Sequence, residues 1–230
     1  MSPKLVPLEL PGGGRALFTE RRQGNLSSVG GENAADGLTA RERLREELGV
    51  NSLVRGYQVH GTVIGRVPEG FVPPVDSETQ PIFEADGHAV AAKGVAAMVL
   101  TADCIPVVLG AEGAVASLHA GWRGLAAGVL EEGVNALKEI GGKGAIAAIV
   151  GPCAGVCCYE VGEEVHLAFA QAHRHGENID LRAIAHDRLL RAGVSEVSDV
   201  ATCTICDERY FSYRREGTRT GRQAGIAWIR

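Results

Sequence analysis

Three residues able to bind a soft or borderline metal each stand beside a residue that turns the backbone. His60 ends Gln58-Val59-His60 and is followed by Gly61. Cys104 lies in Thr101-Ala102-Asp103-Cys104-Ile105-Pro106, and His119 precedes Ala120-Gly121. Gly or Pro follows each within two positions, so each is expected to close a β-strand. Strand ends meeting at one edge of a sheet are where α/β proteins build sites. Two imidazoles and one thiolate form a donor set suited to zinc, and three protein ligands leave the fourth position open for water or substrate. Without metal, Cys104 and His119 on adjacent strands could instead act as a Cys–His nucleophile pair. Spacing alone also leaves open a plain packing role for all three.

The other cysteines are less pointed. Cys153-x₃-Cys157 and Cys203-x₂-Cys206 have the halves of a Cys₄ zinc site, but the stretch between them is long for a compact knuckle. Burial as small hydrophobes is the preferred reading for them. Neither G-x-G-x-x-G nor a P-loop occurs, and there is no G-x-S-x-G elbow. A Rossmann or P-loop nucleotide cradle is therefore not expected, despite 31 glycines in 230 residues.

The elements that must position these residues mix strands and helices without strict alternation. Strands are predicted at 15–19, 53–60, 94–100, 114–118, 145–150, 196–204, 209–214 and 224–229. A capping box at Thr39 opens a helix carrying Leu44 and Leu48, which Gly49 stops. A helical period joins Leu125, Val129, Val134, Leu137 and Ile140, and further helices are predicted near 160–172 and 180–192. Pro11-Gly12-Gly13-Gly14 reads as a turn, and the prolines within 65–81 mark a surface loop. His88, His166, His173, His175 and His186 are expected at the surface or packed on helices. The fold class is α/β, a single-domain layered sandwich of mixed β-sheet with flanking helices over residues 1–230, with α+β as the alternative.

Composition narrows the partners. The chain is 45% hydrophobic and 22% charged, the balance of a folded domain rather than a disordered tail. A formal charge of −5 argues against nucleic-acid binding, which favours a basic face. No apolar run is long enough for a membrane span, and Met1-Ser2-Pro3-Lys4 opens no signal peptide. A cytoplasmic monomer or small homo-oligomer with reduced cysteines is expected. Six arginines follow position 208, where solvated ion pairs are the preferred reading.

The motifs around His60, Cys104 and His119-Ala120-Gly121-Trp122-Arg123-Gly124 strongly resemble the laccase-domain family. Gly151-Pro152-Cys153-Ala154-Gly155-Val156-Cys157-Cys158-Tyr159-Glu160-Val161-Gly162 and Phe211-Ser212-Tyr213-Arg214-Arg215 match it too. The likeness runs from Asn25 to Trp228. It implies that His60, Cys104 and His119 are zinc ligands and that Gln58, Gly151 and Cys153 line the substrate pocket, with Cys158 also on its wall. One departure stands out: the family's Asn-Arg pair near the first helix reads Ala40-Arg41 here.

Members of the family carry the names polyphenol oxidase, peptidoglycan editing factor and purine nucleoside phosphorylase. A multicopper oxidase needs several His-x-His pairs, whereas this chain has His173-Arg174-His175 and seven His in all. Copper could replace zinc at a Cys-His₂ site, but the inventory speaks against a laccase copper set. The resemblance implies instead phosphorolysis of adenosine, inosine and methylthioadenosine, with adenosine deamination at the same pocket. Purine nucleosides and phosphate are then the partners. Arg123, four residues after His119, is the expected phosphate clamp, and Asp103 the expected acid/base group or a ligand-orienting residue. The alternatives are a thiol hydrolase, since the family's fold is similar to that of a thiol-dependent toxin deamidase, and an editing factor for cell-wall precursors.

Overall fold

The structure is a computed structural model that describes residues 5–31, 33–71 and 83–229. Pro73, Pro74 and Pro81 of the expected loop, together with Met1 to Lys4, Glu32 and Arg230, lie outside those residues. In chain order the first elements are β1 (Leu8–Glu9), β2 (Gly14–Phe18), α1 (Gly37–Leu48), β3 (Ser52–Val54), β4 (Ile64–Val67) and β5 (Gly87–Val90). Then come β6 (Val95–Thr101), β7 (Ile105–Glu112), β8 (Ala114–Ala120), α2 (Trp122–Ala127), α3 (Val129–Glu139) and β9 (Lys143–Val150). The remainder is α4 (Glu163–Ala168), β10 (Arg174–His175), β11 (Asn178–Ile179), α5 (Leu181–Arg191), β12 (Glu196–Asp199), α6 (Tyr213–Glu216) and β13 (Gln223–Ile229).

Two mixed sheets stack face to face, in the orders β1-β2-β13-β6-β3 and β12-β9-β7-β8-β5-β4, and β10 and β11 form a separate hairpin. The layer between the sheets is made of small and β-branched side chains, among them Ala16, Val54, Val90, Ala97, Val108, Val115 and Ala227. Such residues suit strands buried on both faces. Leu125, Leu130, Val134 and Leu137 of α2 and α3, with Ile184 and Leu189 of α5, cover the outer face of the six-stranded sheet. Ala40 and Leu44 of α1 cover the other sheet with Leu53 and Met98. The result is a four-layer α/β/β/α sandwich, the single-domain mixed α/β architecture expected from the sequence.

Several boundaries differ from the sequence reading, each for a local reason. The strand predicted to run to His60 ends at Val54, because the chain leaves β6 there and Gly56 packs on the backbone of Ala85. An added Cβ at Gly56 would lie 2.5 Å from the Ala85 carbonyl oxygen. Cys104 does not close a strand either. It sits in the turn between β6 and β7, and β7 itself went unpredicted because Pro106 reads as a breaker. Pro106 is tolerated as the second residue of β7, where the missing N–H is needed least. The segment predicted as a strand at 209–214 turns instead into α6, whose first turn is capped by the Ser212 hydroxyl accepting from the Arg215 N–H. The strand begun at Glu196 stops at Asp199. The helical period at 125–140 is broken by Gly128, which has φ 100°. α1 starts at Gly37, ahead of the Thr39 box, because a 3₁₀ turn over Ala34–Asp36 runs straight into it.

This topology gathers loops at one end. The β3–β4 and β6–β7 connections both cross from one sheet to the other there. At the same end β8 and β9 finish and β5, β7 and β13 begin, as the register pairs Gly87↔Leu118, Ile105↔Ala120 and Gln223↔Thr101 require.

Candidate functional site

The two crossovers and the end of β8 carry His60, Cys104 and His119 to one point, with their ligating atoms all within 4.8 Å of one another. Cys104 Sγ lies 3.7 Å from His60 Nε2, and the two imidazoles meet edge to face at 4.8 Å. His119 is buried, Cys104 half-buried and His60 exposed. Two residues of this cluster's backbone adopt the left-handed region that favours glycine: His60 at φ 61° and Asp103 at φ 87°. Such conformations persist only where neighbouring contacts over-determine them.

Asp86 supplies those contacts for His60. Its buried carboxylate accepts hydrogen bonds from the backbone N–H groups of Val59 (3.2 Å), His60 (3.0 Å) and Gly61 (2.7 Å). It also holds His119 Nδ1 at 2.7 Å, leaving Nε2 as the imidazole's ligating atom. One carboxylate therefore orients the His119 imidazole, as in metal-bound histidines, and fixes the backbone turn from which the His60 imidazole projects. Burial alone would raise its pKa, but the His119 hydrogen bond and the N–H of Gly61 hold it below the usual value. Sequence reading passed over Asp86 because an isolated Ala-Asp-Gly looks like a turn.

The same geometry makes Cys104 acidic. Burial pushes its thiol up, yet the charge and hydrogen bond of His119, with help from His60, bring it down to about 6. Burial likewise opposes charge on His119, but Cys104 and Asp86 raise it to about 9. Metal-free protein is thus expected to hold a thiolate–imidazolium pair between those values. Iodoacetamide should modify Cys104 with a rate that reaches half its maximum near pH 6, whereas burial holds Cys153 near 11 and unreactive at neutral pH. A Cys104 profile with an ordinary thiol midpoint, near 9, would refute the pairing.

The three residues open into a cavity of about 520 Å³, which also takes in Arg55, Tyr57, Gln58, Thr101, Asp103, Tyr159, Tyr213, Arg214 and Arg222. Its size is that of a small-molecule site. Gln58 lines it, but its amide is pinned to β6: Nε2 donates to the Leu100 carbonyl and Oε1 accepts from the Leu100 N–H, both at 2.8 Å. Asp103 also lines it with both carboxylate oxygens engaged. Oδ1 accepts from the Thr204 hydroxyl (2.7 Å), and Oδ2 from the Ser212 hydroxyl (3.1 Å) and the Arg214 N–H (2.7 Å).

Arg123, Gly151 and Cys153 do not line this cavity. Arg123 is exposed on α2 with its guanidinium 4.2 Å over the Trp122 ring. Gly151 is packed so closely that a Cβ would meet the Phe18 ring at 2.3 Å, and Cys153 is buried beside Arg182. Cys158 is likewise absent from the lining.

Of the cationic residues in the lining, Arg55 carried no signal in the sequence, and Arg214 and Arg222, expected as solvated ion pairs, face the cavity instead. Arg55 is 8% exposed, and its Nε has no hydrogen-bond partner. Burial lowers the pKa of its guanidinium and that of Arg222. Thr101 adds a buried hydroxyl, also without a partner, on the same wall. Arg214 stacks 4.6 Å over the Tyr159 ring and donates to the Glu160 carbonyl. Arg55 stands directly before Gly56 in a stretch read as strand, where an arginine signals nothing by itself. Of the remaining histidines, His166 is buried in α4 as a helix-packing residue, whereas His88, expected at the surface or on a helix, is buried in β5, where burial lowers it to about 4.

Residues 15–230 match the protein family described as multi-copper polyphenol oxidoreductase laccase. A protein of Xylella fastidiosa named purine nucleoside phosphorylase is 39% identical over 239 aligned positions, covering 95% of this chain and 88% of the relative. A second of that name from Corynebacterium glutamicum is 32% identical and covers 94% of each. Among solved structures, a Neisseria meningitidis protein of the DUF152 family superposes with a TM-score of 0.83 at 30% identity over 99% of both chains. YlmD from Geobacillus stearothermophilus gives 0.81 at 26% identity, over 99% of this chain and 100% of that one.

Proposed function

The chain belongs to the multi-copper polyphenol oxidoreductase laccase family, and we propose that within it the protein is a zinc-dependent purine nucleoside phosphorylase. The observation that carries the reading is the meeting, in one cavity, of a Cys-His₂ donor set with the buried and partly unpaired Arg55. A buried cation without a carboxylate is costly until an anion joins it. Phosphate is the anion a phosphorylase must bind, and the names of the relatives agree with that need. The donor chemistry fits zinc: two imidazoles, one acidic thiol and a carboxylate that fixes an imidazole from behind. It does not fit a laccase copper set. His173 and His175 lie together at the separate β10–β11 hairpin, and His173 is paired with Asp187.

When bound, zinc supplies Lewis-acid polarisation and orients a reactant; copper is the substitute such ligands would accept. Arg55 and Arg222 hold phosphate by charge-assisted hydrogen bonds, a role for which Arg123 is poorly placed. The exposed rings of Tyr57 and Tyr213 stand at the mouth and offer faces for a purine. A phosphate oxygen attacks C1′, the bond from C1′ to the purine nitrogen breaks, and its electron pair leaves with the base. Burial raises the pKa of Tyr159, which keeps its hydroxyl protonated and able to donate a hydrogen bond to the departing purine. Asp103 acts as a positioning residue, tying the turn after β6 to Thr204, Ser212 and Arg214.

Adenosine, inosine and methylthioadenosine are the proposed substrates. Adenosine deamination is the minor activity of the same pocket, since zinc deaminases use a free carboxylate as acid/base and both Asp86 and Asp103 are engaged here. The test is metal-replete protein with adenosine, with and without phosphate, and products resolved by chromatography. Adenine and ribose-1-phosphate formed only with phosphate are expected, with inosine a lesser product; formation of neither would sink the reading. The thiolate–imidazolium pair favours a thiol hydrolase as the second reading, and activity that survives complete chelation but dies on alkylation would select it.

A further inference from the structure

Away from the cavity, the turn after β9 and the turn after β12 bring four more cysteines together. Because β9 and β12 are parallel neighbours, both turns leave the sheet side by side, and Cys153 and Cys203 form a parallel bridge that keeps them in register. The Sγ atoms of Cys157, Cys158, Cys203 and Cys206 all lie within 4.8 Å of one another. Cys206 is 3.6 Å from Cys157 and 3.0 Å from Cys158. A zinc ion bound by four thiolates with Zn–S bonds of about 2.3 Å places its sulfurs about 3.8 Å apart, so the set needs only small adjustments to close on one ion. The Cys₄ pattern seen in the sequence therefore forms with Cys158 in place of Cys153, whose side chain is buried beside Arg182.

Two features of the surroundings are those of a built thiolate site. The Gly155 N–H donates to Cys203 Sγ at 3.2 Å, a bond that stabilises sulfur carrying negative charge. Any side chain at Gly155 would intrude on the cluster, since a Cβ there would lie 3.0 Å from Cys203 Cβ, 3.2 Å from its Sγ and 3.3 Å from Cys157 Sγ. We infer that Cys157, Cys158, Cys203 and Cys206 form a tetrathiolate zinc site distinct from the His60–Cys104–His119 group. Four thiols bind one Zn²⁺ and release four protons, with no change of oxidation state. The ion staples two turns that both serve the cavity. One carries Tyr159 in its wall, and the other carries Thr204, whose hydroxyl holds Asp103.

Co(II) is the probe, added to the reduced, metal-stripped full-length chain. The tetrathiolate signature, intense sulfur-to-cobalt charge transfer with tetrahedral visible bands, is expected to persist in His119→Ala and to vanish in Cys158→Ser and Cys206→Ser. A signature lost in His119→Ala and kept in Cys206→Ser would assign all bound metal to the first site and overturn the inference. Should the serine variants fail to fold, the unsubstituted protein decides by alkylation mapping. Zinc loading should protect Cys157, Cys158, Cys203 and Cys206 together, and a chelator should expose them together. Unchanged modification of Cys157 and Cys206 in zinc-loaded protein would overturn the site, as would a native mass short of the hydrogens of one or two disulfides. None of these readouts depends on phosphorolysis, so the site stands or falls apart from the proposed activity.

Discussion

Alanine at His119 is expected to remove the metal of the His60–Cys104–His119 group and the nucleoside activity together. His119 is the buried member of the trio, and its imidazole direction is fixed at Nδ1 by Asp86. Loss of a residue that merely orients a ligand typically costs roughly 10–100-fold in metal affinity or activity. Loss of the ligand itself should therefore exceed about 100-fold in kcat/KM. Asp86→Asn provides the graded comparison: the ligands remain, but an amide cannot accept on both sides as the carboxylate does. It should fall within roughly the 10–100-fold range, with weakened metal binding rather than none. Metal content by elemental analysis and kcat/KM on adenosine with phosphate check both variants. His119→Ala protein that lacks this metal and keeps its activity would show the trio to be misassigned.

The second large effect concerns Arg55. Arg55→Met preserves most of the buried stem and removes the charge, so folding should survive while phosphate loses its anchor. A fall on the order of 10²-fold or more in kcat/KM for phosphate is expected, the scale of losing a preorganised group that stabilises charge. Inosine formation from adenosine, which consumes water rather than phosphate, should change far less. Arg123→Ala is the control. Its exposed stack on Trp122 should make that change nearly neutral for both activities. If Arg123→Ala proves the damaging variant and Arg55→Met the silent one, the phosphate site lies outside the cavity described above.

The contrast between His119 and Arg55 marks where the sequence is legible and where it is not. His60, Cys104 and His119 stand out in the sequence because metal-competent side chains beside Gly and Pro are chemically unusual. Arginines are common and their surroundings are invisible in one dimension. Arg123 draws attention through its nearness in sequence to His119, whereas Arg55 gains its role only from being buried at a crossover. Gly151 and Cys153 sit in a distinctive motif, yet the end of β9 puts Gly151 against Phe18 of the facing sheet, and Cys153 is buried among the side chains between the six-stranded sheet and its helices.

Hydrophobic period and glycine placement determined the layered α/β class, most strands of the sandwich and the two main covering helices. Those signals are local, since alternation, helical period and turn residues act within a few positions of one another. Tertiary structure alone decided the rest. His60 and Cys104 meet because two connections cross between sheets at the same end, and a chain read in order carries no mark of which loops share an end. Asp86 gains its influence from four partners drawn from a separate loop and another strand. Cys158 replaces Cys153 in the four-sulfur cluster because side-chain direction depends on how the turn after β9 leaves the sheet. Local preference writes the elements, but long-range pairing selects which of their side chains share a site.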